Sequence, residues 1–299
     1  MEIRKKIDRI LSYLTRKGLL AFIPDKLFLK LMYYIKIGKT LDLNNPVTYN
    51  EKLQWIKLYD RNPLYTELVD KYKVRKFIKE RIGEKYLIPL LGVWNTFDEI
   101  NFDKLPNKFV LKCTHDSGGL VICKNKNNFD YSSAKKKIEM CLKRNFYKLW
   151  REWPYKNVPH KIIAEKYMKD ETENELKDYK FYCFNGRVKM MVINSDRNSD
   201  DSTKGDYFDR DFNVIELTWG FEHAKKLPQK PKQYEKMIEI AEKLSRGLPQ
   251  IRVDLYCCNN NIFFGEMTFF DGSGFTEIRP DSWDYKLGSY LDLSVSYKK

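Results

Sequence analysis

Four polar side chains near the C-terminal end of the chain have types and spacing that could do chemistry together. They are Arg252, Asp254, Glu266 and Thr268, in the stretch 251–274. β-branched and aromatic residues surround a polar turn there, which predicts two strands in a hairpin. If the turn centres on Asn260, Asp254 lies opposite Glu266. Arg252 then lies opposite Thr268, and because side chains alternate along a strand, all four would share one face.

Two carboxylates that face each other repel unless a positive charge lies between them. A hard divalent cation such as Mg²⁺ suits this position, because it takes carboxylate oxygens and leaves sites open for phosphate oxygens and water. Asp254 and Glu266 are therefore a candidate metal site. The alternative is an ordinary surface hairpin whose charged side chains point into water.

A glycine-rich tip between two predicted strands is the second candidate site. Residues 109–113 and 120–124 are strand-like, and the tip between them reads Thr-His-Asp-Ser-Gly-Gly. Such a hairpin can act as a flap whose backbone N–H groups close over phosphate, with Lys112 at its base as a point charge. The GxxxxGK[ST] pattern is absent, so this is no Walker A loop. Most Gly-Gly turns are only turns, and His115 could equally be a turn histidine with satisfied hydrogen bonds.

The elements that must position these residues follow from turn and capping signals. Thr48 and Glu51 have the spacing of a capping box at the start of a helix. Asn185-Gly186 between alternating strands predicts a second hairpin. The polar stretches 169–177 and 196–205 are predicted to be loops.

The composition indicates a large folded chain with acidic partners. The 299 residues are 15% aromatic, which argues against disorder, and carry a formal net charge of +14. This charge favours nucleic acid, anionic lipid or anionic small molecules as partners. Six cysteines form no CxxC pair and accompany only three histidines, so a zinc site is not expected.

The cysteines and the hydropathy pattern predict a cytoplasmic location. The cysteines lie inside apolar runs, which predicts buried free thiols in a reducing compartment. The basic start is not followed by the apolar core and cleavage site of a signal peptide. No run of about 18 apolar residues is present, so we expect a soluble or peripheral protein.

The first 40 residues hold much of the positive charge. They contain ten Lys and Arg residues against three acids, an excess of seven that is half of the net charge. Apolar residues such as Ile3, Ile7 and Ile10 keep helical spacing. A basic amphipathic helix can lie on anionic lipid, and the alternative is a solvated helix docked on the rest of the protein. Peripheral contact with the inner face of a membrane is thus one expectation for residues 1–40.

Five motifs, in order along the chain, give it a resemblance to a known family. They are DKYKVR (70–75), FVLKCTHDSGG (109–119), IIAEKYM (162–168), DYKFYCFNGRVK (178–189) and RVDLY…IFFGEMTFFDGSG (252–274). The chain resembles the TupA-like branch of the ATP-grasp superfamily, a branch linked to teichuronopeptide and surface-polysaccharide synthesis. Each motif alone is weak, and the five in register make the resemblance specific.

The resemblance implies an α+β protein with the ATP-grasp fold, in which two α+β lobes hold the nucleotide between them. The implied division is a basic helical N-terminal region (1–63), a segment before the ATP-grasp fold (64–107), a first lobe with the glycine-rich flap (108–168) and a second lobe with the metal-binding hairpin (169–299). ATP and Mg²⁺ are the ligands that such a fold implies.

The same resemblance implies a role for particular residues. The expected nucleotide-binding residues are Arg75, Lys112, His115, Ser117, Gly118, Gly119, Glu165, Lys166, Tyr167, Met168, Asp178 and Lys180. Within this set Lys112 and either Lys166 or Lys180 contact phosphates, and Arg75 corresponds to a phosphate-binding basic residue of the family. The 114–119 flap covers the phosphates, 165–168 is the adenine hinge and Asp178 binds the ribose. The expected metal ligands are Asp254, Glu266 and Thr268, although many ATP-grasp enzymes carry Asn at the last position. Arg252, which would steady the transferred phosphoryl group, and Lys180 are the expected catalytic residues.

The chemistry of the family implies an ATP-dependent carboxylate–amine ligase. A substrate carboxylate would attack the γ-phosphate of ATP, and an amine would displace phosphate from the acylphosphate to give an amide. By analogy, the carboxylate is a uronic acid of a surface or capsular polysaccharide or its precursor, and the amine is an amino acid or another small amine. The alternatives are a sugar kinase, a glycosyltransferase that binds a nucleotide sugar, and a basic nucleic-acid-binding protein. No recognised nucleic-acid motif supports the last of these, so no nucleic acid is expected as a partner.

Overall fold

The structure is a computed structural model that describes residues 2–170, 176–195 and 203–295. The α-helices are α1 (Glu2–Arg16), α2 (Asp25–Ile37), α3 (Tyr49–Tyr59), α4 (Leu64–Val69), α5 (Val74–Arg81), α6 (Tyr131–Leu142), α7 (Tyr147–Trp150), α8 (Tyr234–Ser245) and α9 (Asp281–Tyr290). The strands are β1 (Leu90–Trp94), β2 (Phe109–Cys113), β3 (Leu120–Cys123), β4 (Ile162–Lys166), β5 (Asp178–Phe184), β6 (Arg187–Ser195), β7 (Lys204–Asp209), β8 (Val214–Ile215), β9 (Thr218–Trp219), β10 (Gln250–Cys258), β11 (Asn261–Thr268) and β12 (Ile278–Arg279).

Two antiparallel sheets organise these elements into an α+β fold. The first has the strand order β1-β4-β2-β3, and the second has the order β11-β10-β5-β6-β7-β8. Helix α6 packs on β2 and β3, whereas α8 packs on β5, β6 and β10. Each sheet therefore has its own helical cover, and each builds a separate hydrophobic core. A third core joins α2 to Phe275.

Two short turns confirm the predicted hairpins. The β5–β6 hairpin turns at Asn185-Gly186, where φ is 49° and 74°, and the β10–β11 hairpin turns at Asn259-Asn260, where φ is 49° and 62°. Positive φ at both central residues is characteristic of a two-residue type I′ turn, whose backbone twist matches that of the flanking strands. Asparagine and glycine occupy these positions because they tolerate the left-handed region best.

The predicted register of the β10–β11 hairpin is confirmed, although it arises differently. Arg252 pairs with Thr268, and Asp254 pairs with Glu266. The turn has two residues and is not a loop centred on Asn260, so by itself it would shift these pairs by one position. A β-bulge at Gly265 inserts one extra residue into β11 and restores the pairing.

The N-terminal helices are also confirmed. Thr48 Oγ1 accepts a hydrogen bond from the backbone N–H of Glu51, and the Glu51 carboxylate accepts one from the backbone N–H of Thr48. This reciprocal pair is the predicted capping box of α3. Within the described residues, no helix has the length and hydropathy needed to cross a bilayer. Five of the six cysteines are buried, as predicted, and Cys257 is half-buried.

Two predicted loops lie partly outside the described residues, which omit 171–175 and 196–202. The second loop prediction was wrong at its end, because Lys204 and Gly205 pair with β6 and begin β7. The division into regions stays a prediction. β1 lies within the segment 64–107, yet it pairs with β4 and so extends the sheet of the first lobe.

Candidate active site

A cavity of about 590 Å³ is lined by residues of both lobes. Asp116 and Ser117, which follow β2, form part of its wall, and side chains of β10 and β11 form another part. Arg144 and Arg16 line it as well, so α1 contributes to the same space. Ligand sites in proteins are concave spaces of this size with a few convergent polar groups.

Arg252 lies at the centre of the four-residue face that the sequence predicts. Its Nε and Nη2 donate hydrogen bonds to the two carboxylate oxygens of Asp254, at 2.7 and 2.8 Å. Nη2 also lies 3.0 Å from Glu266 Oε1 and 3.1 Å from Thr268 Oγ1. Nη1 donates to Asp271 Oδ1 at 2.5 Å. The structure therefore brings all four residues together, with the guanidinium between the two facing carboxylates.

Lys180 supports Asp254 from the neighbouring strand β5. Lys180 Nζ lies 2.5 Å from Asp254 Oδ2 and 3.1 Å from Asp178 Oδ2. Burial acts to raise the pKa of Asp254, but Arg252 and Lys180 outweigh it and lower the pKa below its usual value. Burial likewise acts to lower the pKa of Lys180, and the charge of Asp254 raises it instead. Asp254 is thus an ionised, buried counter-ion for two cations.

The residues present fit a magnesium ion, although they do not enclose one. Counting formal charges, Asp178, Asp254, Glu266 and Asp271 outweigh Lys180 and Arg252 by two. Among the described residues, no three His, Cys, Asp or Glu side chains are grouped closely enough to hold a metal by themselves. Mg²⁺ commonly takes one or two carboxylates and completes its shell with substrate phosphates and water. Glu266 matches that need, because its side chain is 43% exposed and lines the cavity. Both oxygens of Asp254 already accept hydrogen bonds from Arg252 and Lys180, so Asp254 would have to exchange one of these partners for the ion.

Glu165 on β4 joins two of the predicted phosphate-binding cations. Its Oε1 lies 3.0 Å from Arg75 Nη1, and its Oε2 lies 2.7 Å from Lys112 Nζ. All three side chains line a crevice of about 10 Å³ whose other wall includes Gly265. A nucleotide needs far more space than this. Its binding would therefore require the two sheets to separate here and phosphate to replace Glu165 as the partner of these cations.

The predicted hinge continues from β4. Lys166 closes the strand, and its backbone N–H donates to the carbonyl of Pro89 at 3.0 Å. Tyr167 and Met168 follow and are half-buried. Their contact with adenine stays a prediction.

The glycine-rich tip between β2 and β3 is held by its own hydrogen bonds. The Gly119 N–H donates to Asp116 Oδ1 at 3.1 Å, and the Gly119 carbonyl accepts from the Cys113 N–H at 2.7 Å. Ser117 and Gly118 are exposed, and Ser117 lines the cavity. The exposed part of the predicted flap is therefore two residues long, and Gly119 already has a partner for its N–H group.

His115 points away from the cavity. Its ring is buried, lies 3.1 Å from the carbonyl of Cys141 and stacks on His160 with ring centroids 3.6 Å apart. Burial lowers its pKa to about 4. The side chain is therefore a neutral packing group behind the tip.

A model of the family described as TupA-like ATPgrasp matches residues 51–292. The chain belongs to the TupA-like ATP-grasp family. This match confirms the resemblance and the predicted ATP-grasp fold of α+β class. Residues 1–50, which include α1 and α2, lie outside the matched region.

Solved structures of ATP-grasp ligases are also similar to this TupA-like chain. D-alanine–D-alanine ligase from Bacillus anthracis complexed with ATP is 18% identical, with a TM-score of 0.44, over 77% of this chain and 66% of that one. The same enzyme from Helicobacter pylori is 14% identical, with a TM-score of 0.41, over 82% and 69%. The ligase PsnB, complexed with minimal precursor, Mg and ADP, is 9% identical, with a TM-score of 0.38, over 74% and 57%. The chain thus spans 66% of the Bacillus anthracis enzyme. No curated protein matched.

Sequence reasoning missed the support behind one wall of the TupA-like cavity. Gly272, Ser273 and Gly274 have φ of 52°, 56° and 61°, and the first two line the cavity. On α3, Gln54 Nε2 donates to the carbonyl of Gly274 at 2.7 Å, and Lys57 Nζ donates to that of Ser273 at 2.7 Å. Gly272 and Gly274 were visible in the sequence and are residues that readily adopt positive φ. Nothing in the sequence pattern connected them with a helix some 200 positions earlier.

Three basic residues of the cavity were also missed as site residues. They are Arg16, Lys71 and Arg144. Lys71 Nζ donates to the carbonyl of Asp116 at 2.6 Å, and Arg144 Nη1 lies 3.6 Å from Asp116 Oδ2. Lys71 lines both the cavity and the narrow crevice, so it lies where the two spaces meet. Its place in the DKYKVR motif was the available signal.

The buried position of Asp254 leads to a stability prediction. Asp254→Asn leaves Arg252 and Lys180 without their shared counter-ion, and we expect the free energy of unfolding to fall by about 3–5 kcal/mol. Glu266→Gln is the matched control, because Glu266 is partly exposed and should lose much less. Urea denaturation at pH 7, followed by circular dichroism, measures both. Equal losses would contradict the role of Asp254 as the buried counter-ion.

The buried His115 leads to a pH prediction. Its pKa is about 4 in the folded chain against an ordinary value of 6.5, so between these values the unfolded state binds more protons. This histidine should therefore lower stability as the pH falls from about 6.5 to about 4. His115→Phe keeps a ring on His160 but cannot be protonated. Urea denaturation at pH 5 and pH 7 should show a smaller pH dependence in the variant, and an unchanged dependence would mean that His115 is not buried in its neutral form.

Proposed function

We propose that this protein is an ATP-dependent carboxylate–amine ligase that activates the carboxylate of an anionic sugar and joins it to a small amine. One observation carries the proposal. A single cavity has the Arg252 ion cluster on one wall and the cations Arg16, Lys71 and Arg144 on others. This arrangement suits a reaction in which two anions, a triphosphate and a carboxylate, must meet.

ATP is a substrate in this proposal, and cations of α5 and of the first lobe bind its phosphates. Arg75 and Lys112 would exchange Glu165 for phosphate oxygens when the crevice opens. Lys71, at the junction of crevice and cavity, lies on the path between the nucleotide and the second substrate. Each cation supplies a charge-assisted hydrogen bond, which is the strong kind for phosphate.

The second lobe stabilises the group being transferred. The guanidinium of Arg252 is already oriented by three carboxylates, so little reorganisation is needed when charge develops beside it. Asp254 and Glu266 would hold Mg²⁺, which when bound neutralises phosphate charge. Phosphoryl transfer needs mainly positioning and electrostatic stabilisation, and this wall supplies both.

The remaining walls support a sugar carboxylate as the acceptor of the phosphoryl group. Arg16 and Arg144 provide positive charge, and the aromatic side chains Phe146, Trp150 and Tyr155 provide apolar surface. A uronic acid combines a carboxylate with a ring that has an apolar face, so it matches both features. The acylphosphate formed on that carboxylate is then the species that an amine attacks, with release of phosphate and formation of an amide.

The proposal predicts which substrates must be present for ADP release. We expect ATP turnover only when a uronic acid, free or nucleotide-linked, and a small amine are supplied together, because the acylphosphate needs both partners to complete the reaction. A coupled ADP assay that crosses a panel of uronic acids with a panel of amines and amino acids measures this.

The same assay separates the alternatives. ADP release with a sugar but no amine would indicate a sugar kinase and overturn the ligase proposal. Tight binding of nucleotide sugars without binding of ATP would indicate a glycosyltransferase. The product of a productive pair should be an amide, identified by its mass.

Lys112 gives a prediction for nucleotide binding. Lys112→Ala removes one charge-assisted hydrogen bond to phosphate, and we expect the KM for ATP to rise by about 10- to 100-fold. Lys108→Ala is the matched control, because Lys108 is exposed on the same segment and lines neither space. Steady-state kinetics with the pair of substrates found in the ADP assay gives both values. An unchanged KM for ATP in Lys112→Ala would remove this lysine from the phosphate site.

A further inference from the structure

Helix α1 leaves three isoleucines facing solvent. Ile3, Ile7 and Ile10 share one face by their spacing, and Ile3 is 75% and Ile10 59% exposed. The buried residues of this 15-residue helix are Ser12 and Thr15. A helix docked on a globular protein normally buries its apolar stripe and exposes its polar one. In α1 the stripe is divided, because Leu11 packs against the core around α2 and Leu14 is half-buried, whereas the three isoleucines face water.

Specific contacts fix this orientation of α1. Asp8 Oδ1 lies 2.8 Å from Lys36 Nζ on α2 and accepts a hydrogen bond from Ser12 Oγ at 2.9 Å. The Arg4 guanidinium packs where a side chain at Gly38 would lie. The polar side of α1 is therefore held against α2 by an ion pair and packing, which leaves the isoleucine side without cover.

Further exposed apolar side chains follow α1 in the sequence. Together with those of α1 we call them the N-terminal apolar face, and its residues are Ile3, Ile7, Ile10, Tyr13, Leu19, Phe22, Leu27, Leu31 and Tyr34. The described residues contain 21 exposed large apolar side chains. Nine of these 21 lie within the first 34 positions, so this short part of the chain holds far more than its share. Phe22, in the connection between α1 and α2, is 82% exposed. A concentration of this kind marks a surface that binds something.

Basic side chains accompany the N-terminal apolar face. The exposed ones are Lys5, Lys6, Arg9, Arg16, Lys17, Lys26 and Lys30. Within the described part of the chain, none of these seven makes an ion pair, whereas Asp8 pairs with Lys36 and Asp25 with Arg151. The acids of this region are thus largely neutralised by other partners, and the exposed charge is positive.

We propose that the N-terminal apolar face docks on an anionic membrane surface, with α1 lying in the plane of the interface. Leucine, isoleucine and phenylalanine side chains enter the boundary between headgroups and acyl chains, and lysine and arginine bind anionic headgroups. A second copy of the chain would bring the same seven cations face to face, so charge disfavours self-association. The inference does not depend on the ligase reaction.

Docking in this way would bring the membrane to the cavity. Arg16 is the last residue of α1 and also lines the cavity. Arg151 anchors the same region to the lobes, since its Nε lies 3.0 Å from Asp25 Oδ1 and its guanidinium donates to the carbonyls of Leu20 and Ile23. Arg16 and the contacts of Arg151 thus connect the helix that would lie on the membrane with the wall of the cavity.

Vesicle co-sedimentation of the full-length protein tests the proposal. We expect binding to vesicles of phosphatidylcholine with one quarter phosphatidylglycerol to be about tenfold or more stronger than to pure phosphatidylcholine, and to weaken as salt is raised. In Ile10→Glu/Phe22→Glu, binding to the anionic vesicles should fall by about tenfold or more. Circular dichroism checks that the helices remain.

A charge-matched control distinguishes the apolar face from net charge. Leu227→Glu/Val295→Glu places the same two charges at other exposed apolar positions and should bind like the unmodified protein. Equal loss in both double variants, or equal binding to both kinds of vesicle, would overturn the proposal. Sedimentation velocity in the absence of lipid measures the oligomeric state of the protein. A monomer is expected, and a dimer that Ile10→Glu/Phe22→Glu abolishes would show that a second copy covers the face instead.

Discussion

The site depends on the burial of one guanidinium. Arg252 is 8% exposed, and removing such a cation from water costs several kcal/mol unless anions replace the lost hydration. Three carboxylates do so, and each comes from a different segment: Asp254 from β10, Glu266 from β11 and Asp271 from the loop that follows. The positions of these segments are therefore coupled, because a shift of any one would leave part of the guanidinium without a partner. The same constraint holds Arg252, Glu266 and Asp271 in one wall of the cavity.

Holding these carboxylates in place also depends on a helix that carries no catalytic group. The loop that provides Asp271 runs through three residues with positive φ, one of them Ser273, and so needs outside support. Gln54 and Lys57 of α3 supply it through the carbonyls of the loop. Gly274 shows how close this packing is, since a Cβ there would lie 2.4 Å from Gln54 Nε2. The wall of the cavity is thus built from a strand hairpin in front and a helix behind.

Local patterns predicted most of the fold, because turns and caps are set by neighbouring residues. The turn at Asn185-Gly186 and the capping box at Thr48 needed no knowledge of the rest of the chain. The carboxylate pairing of the hairpin was also predictable, although a shorter turn and the bulge at Gly265 produce it together. The direction of His115 was not, because it depends on His160 and on the end of α6, which reach it only in the folded chain. The pairing of Glu165 with two cations was missed for the same reason.

Helix α1 shows the limit of periodicity as a guide to function. The spacing of Ile3, Ile7 and Ile10 predicts a helix with an apolar side, and a helix is what forms. Spacing identifies the residues that share a face, but the contacts of the folded chain decide which face is covered. Here the ion pair of Asp8 with Lys36 and the packing of Leu11 hold one side of the helix inward. The three isoleucines therefore face water, at a free-energy cost that scales with their exposed area. A concentration of exposed apolar side chains favours contact with another phase or partner, and the cations around these isoleucines make an anionic one the basis of the proposal.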